Sequence, residues 1–189
     1  MYKFDPAALA AQVQGRKLPP IERWHPPLSG ELDMRIARDG TWYHEGTPIL
    51  RENLARLFST ILRCEDDGCY YLVTPVEKWR IQVEAAPFVA VLLEVSDKGG
   101  KQQELRFTTT MGDVVTAGPE HPIEVEYATP GGEPAPYVHV RARLRALLSR
   151  PVFLELTELG EEREVDGKLL YGVWSQGVFF PLGSLHELS

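Results

Sequence analysis

The amino-acid sequence predicts an α+β protein of two similar halves, each a small, mostly antiparallel sheet with one packing helix. Three observations support this fold class. Short segments alternate apolar and polar residues as strands do, two segments have the apolar spacing of helices, and the sequence contains an approximate internal repeat. In this repeat, Gly40 and Gly46 correspond to Gly112 and Gly118 with the same separation along the sequence. The two helical segments match each other at a larger spacing, so we expect a repeated β-β-α-β-β motif.

The N-terminal part predicts a helix followed by an extended arm, together residues 1–30. Residues 7–13 are rich in alanine, which has the highest helix propensity. Residues 16–28 contain four prolines, and because proline fixes φ and cannot donate to a strand ladder, we expect an extended surface segment. Trp24 is expected to pin this arm into a groove, and contact of Trp24 and His25 with a ligand is the alternative.

The first domain, expected over residues 31–98, begins with a predicted β-hairpin. Apolar and charged residues alternate up to Ile36, and Asp39-Gly40 is a strong turn signal because glycine tolerates positive φ. We expect Thr47-Pro48 to start a helix, with the threonine as cap and the proline in the first turn. Its apolar stripe continues to Leu62, and the acidic, glycine-containing run that follows is expected to end it.

Three strand patterns follow, at residues 69–75, 77–84 and 88–95. The last is almost wholly apolar and is therefore expected to be central in a sheet. The polar, glycine-rich run at 96–101 is either a hairpin loop or the domain boundary, and we place the boundary there.

The second domain, expected over residues 99–189, contains a similar series of elements. They are a hairpin over 103–118, a strand over 122–127, one long strand over 137–148, a helix over 149–160 and a strand pair over 166–183. The long strand would carry Arg141, Arg143 and Arg145 on one face, and a helix beginning near Ala142 is the alternative.

Composition excludes several classes of function. A net charge of -7 argues against a dedicated nucleic-acid-binding protein, which needs a basic face. No apolar run approaches the roughly 20 residues of a membrane span, and the N-terminal stretch does not resemble a signal peptide. Cys64 and Cys69 are expected to be ordinary thiols in a reducing cytoplasm, with a disulfide as the alternative. The histidines lack metal-site spacing, so neither a metal nor a cofactor is expected.

The segment around residues 76–84 is the most suggestive for binding. Side chains alternate along a strand, so Lys78 and Arg80 should share one face while Trp79 lies on the other. A paired lysine and arginine can hold a carboxylate or phosphate. We expect a small anionic ligand or a protein partner to bind between the two halves, with aromatic rings stacking and cations orienting it. The candidate ligand-binding residues are Trp24, His25, Arg35, Trp42, His44, Lys78, Trp79 and Arg80.

Two other functions stay open at this stage. A small hydrolase-like enzyme could use His44 or Glu45 in the same cleft, although adjacent strand residues point to opposite faces. Alternatively, the protein could form a homodimer through an exposed sheet edge. We assign no catalytic residue from the sequence.

Four motifs in fixed order resemble the bacterial domain of unknown function 1285 family. They are RWHPPLSGELDMRIARDGTWYHEGTPI, YYLVTPVEKWRIQVE, GDVVTAGPEHPIEV and GVWSQGVFFPLG, and the resemblance spans residues 19–183. It implies a two-domain α+β fold with a repeated structural motif. It also implies a role in signal transduction or ligand sensing, with no established enzymatic activity and no agreed set of functional residues.

Overall fold

Residues 4–12, 18–129 and 132–184 are described in the computed structural model, and they contain three α-helices and fifteen β-strands. The chain divides into two units, Met1–Pro87 (unit 1) and Phe88–Ser189 (unit 2). The division falls earlier than the glycine-rich run at 96–101. That run is the loop of a hairpin, because the strand before it, Phe88–Ser96, pairs with strands of unit 2 on both sides.

Unit 1 is built around one six-stranded sheet, sheet A. Its elements are α1 (Pro6–Gln12), β1 (Leu28–Ile36), β2 (Trp42–His44), β3 (Thr47–Pro48), α2 (Glu52–Thr60), β4 (Leu62–Cys64), β5 (Tyr70–Val73) and β6 (Lys78–Val83). The strand order is β3-β2-β1-β6-β5-β4. All neighbours are antiparallel except the central pair β1 and β6, which is parallel. Two three-stranded meanders therefore meet at one parallel pair.

Unit 2 contains a second six-stranded sheet, sheet B, and a three-stranded sheet, sheet C. Its elements are β7 (Phe88–Ser96), β8 (Glu104–Thr109), β9 (Val114–Thr116), β10 (Ile123–Tyr127), β11 (Pro134–Arg141), β12 (Leu144–Leu148), α3 (Arg150–Glu158), β13 (Glu161–Val165), β14 (Lys168–Ser175) and β15 (Val178–Ser184). Sheet B has the order β10-β11-β12-β7-β8-β9, and only its central pair, β7 and β12, is parallel. Strands β13 to β15 form the antiparallel sheet C.

The predicted fold class of two similar α+β halves is confirmed. Sheet A and sheet B have the same topology when β1 to β6 are equated with β7 to β12 in order. The order strand, strand, helix, strand, strand also occurs in both units, around α2 and α3. The sheets show which strands are equivalent: β10, β11 and β12 correspond to β4, β5 and β6 of sheet A.

The prediction that Thr47-Pro48 starts a helix is wrong. These residues form β3, which pairs with Tyr43 and His44, and α2 begins at Glu52. The helix also ends at Thr60, because Leu62–Cys64 pairs with β5. The acidic run is the turn of that hairpin, where the Glu65 N–H donates to the Cys69 carbonyl at 3.0 Å. Strand pairing has overridden local helix signals at both ends of the predicted helix.

The single long strand expected over residues 137–148 is also wrong. It is a hairpin, in which β11 ends at Arg141, β12 begins at Leu144 and the turn residue Ala142 has a φ of 46°. A two-residue turn without glycine has little sequence signal. The other predicted hairpins, the helix after Ser149 and the final strand pair are confirmed. Helix α1 agrees with the predicted N-terminal helix, of which residue 13 lies outside the described residues.

Each unit has its own apolar core on the sheet. Fully buried side chains of unit 1 include Met34, Ile36, Trp42, Phe58 and Leu72. Those of unit 2 include Phe88, Leu105, Phe107, Val138 and Val173. Among the described residues, no helix is long and apolar enough to cross a membrane.

Candidate functional site

All eight predicted site residues belong to unit 1, but they do not form a single cluster. The alternation along β6 is as predicted: Trp79 is buried and Arg80 exposed. Trp42, His44 and Trp79 are brought together on the core face of sheet A. The cations lie on the opposite face, since Arg80 is paired in register with Glu31.

The core face carries an aromatic cluster that the sequence revealed only in part. The ring centroids of Trp42 and Phe58 are 6.1 Å apart. The Phe4 ring lies 5.7 Å from His44, 6.3 Å from Phe58 and 5.9 Å from Trp79. Sequence analysis missed Phe4, because nothing local indicates that a residue before the first helix packs on this sheet.

Two of the three predicted cations are neutralised by carboxylates. Arg35 forms an ion pair with Glu84 and also stacks over the Tyr43 ring, with its Cζ 4.3 Å from the centroid. The Lys78 Nζ lies 3.1 Å and 3.2 Å from the two carboxylate oxygens of Glu65. Both side chains are already paired with a carboxylate, so neither is available to bind an anionic ligand.

Arg80 differs from these two cations. Its Nη2 lies 3.1 Å from the Cys69 sulfur, and its Nη1 is 3.6 Å from the Glu31 carboxylate. A thiol is a weak acceptor, and 3.6 Å is too long for a hydrogen bond. The guanidinium borders a cavity of about 310 Å³, which is lined by Glu31, Leu32, Gly68, Cys69, Tyr70, Arg80, Ile81, Gln82 and Val83.

Glu65 organises the neighbouring strands and the N-terminal arm. Its carboxylate also accepts a hydrogen bond from Arg63, whose other guanidinium nitrogen donates to the carbonyls of Ile21 and Trp24 at 3.0 Å and 2.7 Å. Burial acts to raise the pKa of Glu65, but hydrogen bonds from Arg63 and Lys78 outweigh it and hold this pKa below its ordinary value. Trp24 thus helps to anchor the arm through its backbone, while His25 is exposed.

The turn before β5 contains a second hydrogen-bonded pair. The Tyr71 hydroxyl donates to Asp67 at 2.6 Å, and this bond, with burial, raises the pKa of Tyr71 to about 12. The same bond lowers the pKa of Asp67, as does the Cys69 backbone N–H at 2.8 Å. These contacts hold the turn that presents Cys69 to Arg80.

His44 and Glu45 do not form an acid-base pair in the structure. His44 packs its ring on Phe4, and among the described residues its ring nitrogens have no hydrogen-bond partner. Glu45 has a φ of 48° and lies exposed in the turn between β2 and β3. A hydrolase needs a nucleophile or a metal beside such a base, and within residues 4–12, 18–129 and 132–184 no cluster of metal-ligating side chains is found.

The arginines of unit 2 are divided by the β11–β12 turn. Arg141 forms an ion pair with Asp113, and Arg145 forms one with Glu126 while stacking 3.7 Å over the Tyr137 ring. They do not form the continuous basic stripe that a single long strand would have produced.

Comparison with family models gives two matches that together cover most of the chain. Residues 19–86 match the domain of unknown function DUF1285, N-terminal domain. Residues 87–182 match the protein of unknown function DUF1285, C-terminal domain. The chain belongs to the DUF1285 family. The resemblance seen in the sequence motifs is thus confirmed, and the two DUF1285 matches meet within one residue of the boundary between unit 1 and unit 2 in the chain.

Two solved DUF1285 structures are similar to this chain. A DUF1285 family protein from Silicibacter pomeroyi DSS-3 is 48% identical, with 99% of both chains covered and a TM-score of 0.89. A DUF1285 family protein from Shewanella baltica OS155 is 27% identical, with 68% of this chain and 92% of that chain covered and a TM-score of 0.52. No functionally curated protein matches the chain.

Proposed function

We propose that this DUF1285 protein is a ligand-binding protein with a sensory or regulatory role, and that unit 1 binds a small anion through Arg80. The observation that carries the proposal is the difference between Arg80 and the other two predicted cations. Arg35 and Lys78 each have a close carboxylate partner, whereas Arg80 borders a cavity and, among the described residues, has a thiol but no carboxylate within hydrogen-bonding range.

The contact between Arg80 and Glu31 is weak enough to be replaced. The Glu31 side chain is 79% exposed, and exposed ion pairs contribute about 0 to 1 kcal/mol. A guanidinium presents parallel N–H donors that match a carboxylate or a phosphate in two-point contact. An anion bound there would exchange a weak ion pair for charge-assisted hydrogen bonds.

The cavity suits a small ligand. Its volume of about 310 Å³ is at the lower end of the range for small-molecule sites, roughly 300 to 1,000 Å³. The Lys78–Glu65 pair is on the same face of β6 but is internally neutralised. Selectivity would therefore depend on Arg80 and on the polar groups of the turn at Gly68 and Cys69.

Cytoplasmic location and a part in signal transduction belong to the same proposal. Cys64 and Cys69 form no disulfide among the described residues, as is usual in a reducing compartment. A small-molecule sensor without a catalytic constellation needs only a site whose occupancy changes the stability of the unit that carries it.

Isothermal titration calorimetry with inorganic phosphate and with succinate tests the anion site. We expect wild-type protein to bind at least one of them, and Arg80→Ala to weaken that binding about tenfold or more, because a charge-assisted hydrogen bond contributes about 1.5 to 3 kcal/mol. Arg106→Ala is the matched control, since Arg106 is a half-exposed strand arginine of unit 2 paired with Glu94. Equal binding by Arg80→Ala and wild type, or no binding of either anion, would reject the proposal.

A further inference from the structure

The face of sheet B turned away from its core carries exposed apolar side chains on β7 and β9. Leu93 and Phe107 pair in register and are buried, so they mark the core face. Leu92 pairs with Thr108, and Thr108 pairs with Val114. Because side chains alternate along a strand, these three residues form a row on the opposite face. Leu92 is 50% exposed and Val114 is 55% exposed, so the row presents apolar surface to solvent.

The next row on the same face carries one charge of each sign. Glu94 lies two residues after Leu92 on β7 and pairs in register with Arg106 of β8. The Arg106 Nε is 3.2 Å from the Glu94 carboxylate, and the two side chains are 51% and 49% exposed. Ion pairs this exposed contribute little to stability, so either charge can take a new partner with little loss.

The exposed apolar side chains are contiguous rather than scattered. Leu92 and Val114 lie on either side of Thr108, and Val91, at the bulge next to Leu92, is 49% exposed. Single exposed apolar side chains are ordinary on protein surfaces, whereas contiguous ones mark interaction sites. With the adjoining ion pair, this surface combines an apolar part with both signs of charge.

We infer that this surface, the dimer face of Leu92, Glu94, Arg106, Thr108 and Val114, packs against the same surface of a second copy of the chain. Charge complementarity identifies the partner, because neighbouring strands carry opposite charges side by side and the surface is complementary to itself after a half-turn. A symmetric dimer uses one patch on both subunits and therefore requires such self-complementarity. The dimer face belongs to unit 2, and the inference does not depend on the anion site at Arg80.

A two-fold axis that runs parallel to the strands, between β7 and β8, produces the required contacts. It places Glu94 opposite the partner's Arg106 and Arg106 opposite the partner's Glu94. In the apolar row it places Leu92 opposite the partner's Thr108, so that Leu92 and the partner's Leu92 become neighbours across the interface. Two sheets packed face to face keep their strand directions within about 30° of each other, which this axis satisfies.

Sedimentation velocity of the full chain at increasing protein concentration tests the interface. We expect a concentration-dependent dimer in the wild type, as mass action requires. Leu92→Asp should raise the dimer dissociation constant about tenfold or more, because it places a carboxylate without a partner in an apolar contact. Leu154→Asp is the matched control and should dimerise as the wild type does, since Leu154 of α3 is a similarly exposed leucine, at 55%, outside the dimer face.

A charge exchange tests the two-fold arrangement itself. Glu94→Arg leaves two cations on the dimer face and Arg106→Glu leaves two carboxylates, so each variant alone should dimerise at least about tenfold more weakly than the wild type. Mixed in equal amounts, the two variants should form a heterodimer, in which each cation lies opposite a carboxylate of the other variant. Native mass spectrometry distinguishes this heterodimer from both homodimers because the variants differ in mass.

Circular dichroism first establishes that each variant is folded, as substitutions of exposed side chains should allow. The inference fails if the folded charge variants do not associate when mixed, or if either alone dimerises as tightly as the wild type. Wild-type affinity in Leu92→Asp would also overturn it. A wild type that stays monomeric would mean that another class of partner, or none, covers this face, and would overturn the inference as well.

Discussion

At the residue scale, the period of a strand determines the face of a side chain but not its partner. Lys78 and Arg80 are equivalent in the sequence, two residues apart on one face of β6. In the structure, Lys78 has two oxygens of Glu65 within 3.2 Å, whereas Arg80 faces a thiol. The difference arises in the turn between β4 and β5, which supplies both Glu65 and Cys69.

The hydrogen bonds of that turn predict a pKa change that can be measured on one side chain, Tyr71. Asp67→Asn replaces the carboxylate that accepts the Tyr71 hydroxyl with a neutral amide. The negative acceptor favours the protonated phenol, so its removal should lower the pKa of Tyr71 from about 12 toward its ordinary 10.0. An ultraviolet absorbance titration measures this, with Tyr71→Phe used to assign the transition.

Asp66→Asn is the matched control for this titration, because it removes the same charge from the adjacent residue. A Tyr71 pKa that stays near its wild-type value in Asp67→Asn would show that this hydrogen bond does not raise it.

Sequence analysis predicted which face of the strand carries the aromatic side chain and which carries the cations. It did not predict the residues from other parts of the chain that contact these side chains. The burial of Trp79 and exposure of Arg80 follow from alternation along one strand. The role of Glu65 did not follow, because the acidic run that contains it was interpreted as a helix stop. Phe4 was missed because its contacts with Trp79 and Phe58 join distant parts of the chain, and no local period reports such contacts.

At the element scale, pairing between strands decides where elements begin and end. Thr47-Pro48 has good helix-start chemistry, yet it pairs with β2, and the helix starts only at Glu52. The same holds for the 137–148 segment, whose alternation is correct for both strands of a hairpin but contains no turn signal at Ala142. Strand existence was therefore predictable, whereas ends that depend on pairing were not.

In unit 2, one buried side-chain hydroxyl forms hydrogen bonds with backbone groups of two other segments. Ser175 is fully buried at the end of β14. Its Oγ accepts the Leu105 N–H at 2.9 Å and donates to the Ala117 carbonyl at 2.7 Å, so it joins sheet C to β8 and to the residue after β9.

Ser175→Ala should destabilise the protein by roughly 2 kcal/mol or more, because it leaves a buried N–H and a buried carbonyl without partners, at about 1 to 3 kcal/mol for each group. Urea unfolding followed by circular dichroism measures the change. Ser96→Ala, an exposed serine at the end of β7, should change the free energy of unfolding by less than about 0.5 kcal/mol. Equal midpoints for Ser175→Ala and wild type would contradict the assigned role.

At the scale of the whole molecule, the two units share a sheet topology, and the side chains built on it in unit 1 give a testable pH response. Sheet A and sheet B have the same strand order with one parallel pair at the centre. Asp39, Glu65, Asp67 and Tyr71, whose pKa values depart clearly from the ordinary ones, belong to unit 1. Unit 1 thus contains a set of hydrogen-bonded groups whose pKa values are shifted in the folded protein.

These shifted groups predict that the stability of unit 1 depends on pH. The lowered pKa values of Asp39, Glu65 and Asp67 contribute stability above their ordinary values of 3.8 to 4.5, and that stability is lost as the pH falls through the folded-state values. Tyr71 has a raised pKa, so its contribution is complete below pH 10.0 and is lost as the pH rises through about 12. Both changes should loosen unit 1 before unit 2.

Hydrogen exchange followed by mass spectrometry, corrected for the intrinsic pH dependence of exchange, measures the protection of each unit separately. Peptides from β4, β5 and β6 should lose protection as the pH falls below 4, while those from β7, β8 and β12 keep it. Glu65→Gln carries no titrating group at that position, so its unit 1 protection should be lower at pH 7 and change less between pH 7 and pH 3. Earlier loss of protection in unit 2 would show that networks other than these four groups control the acid response.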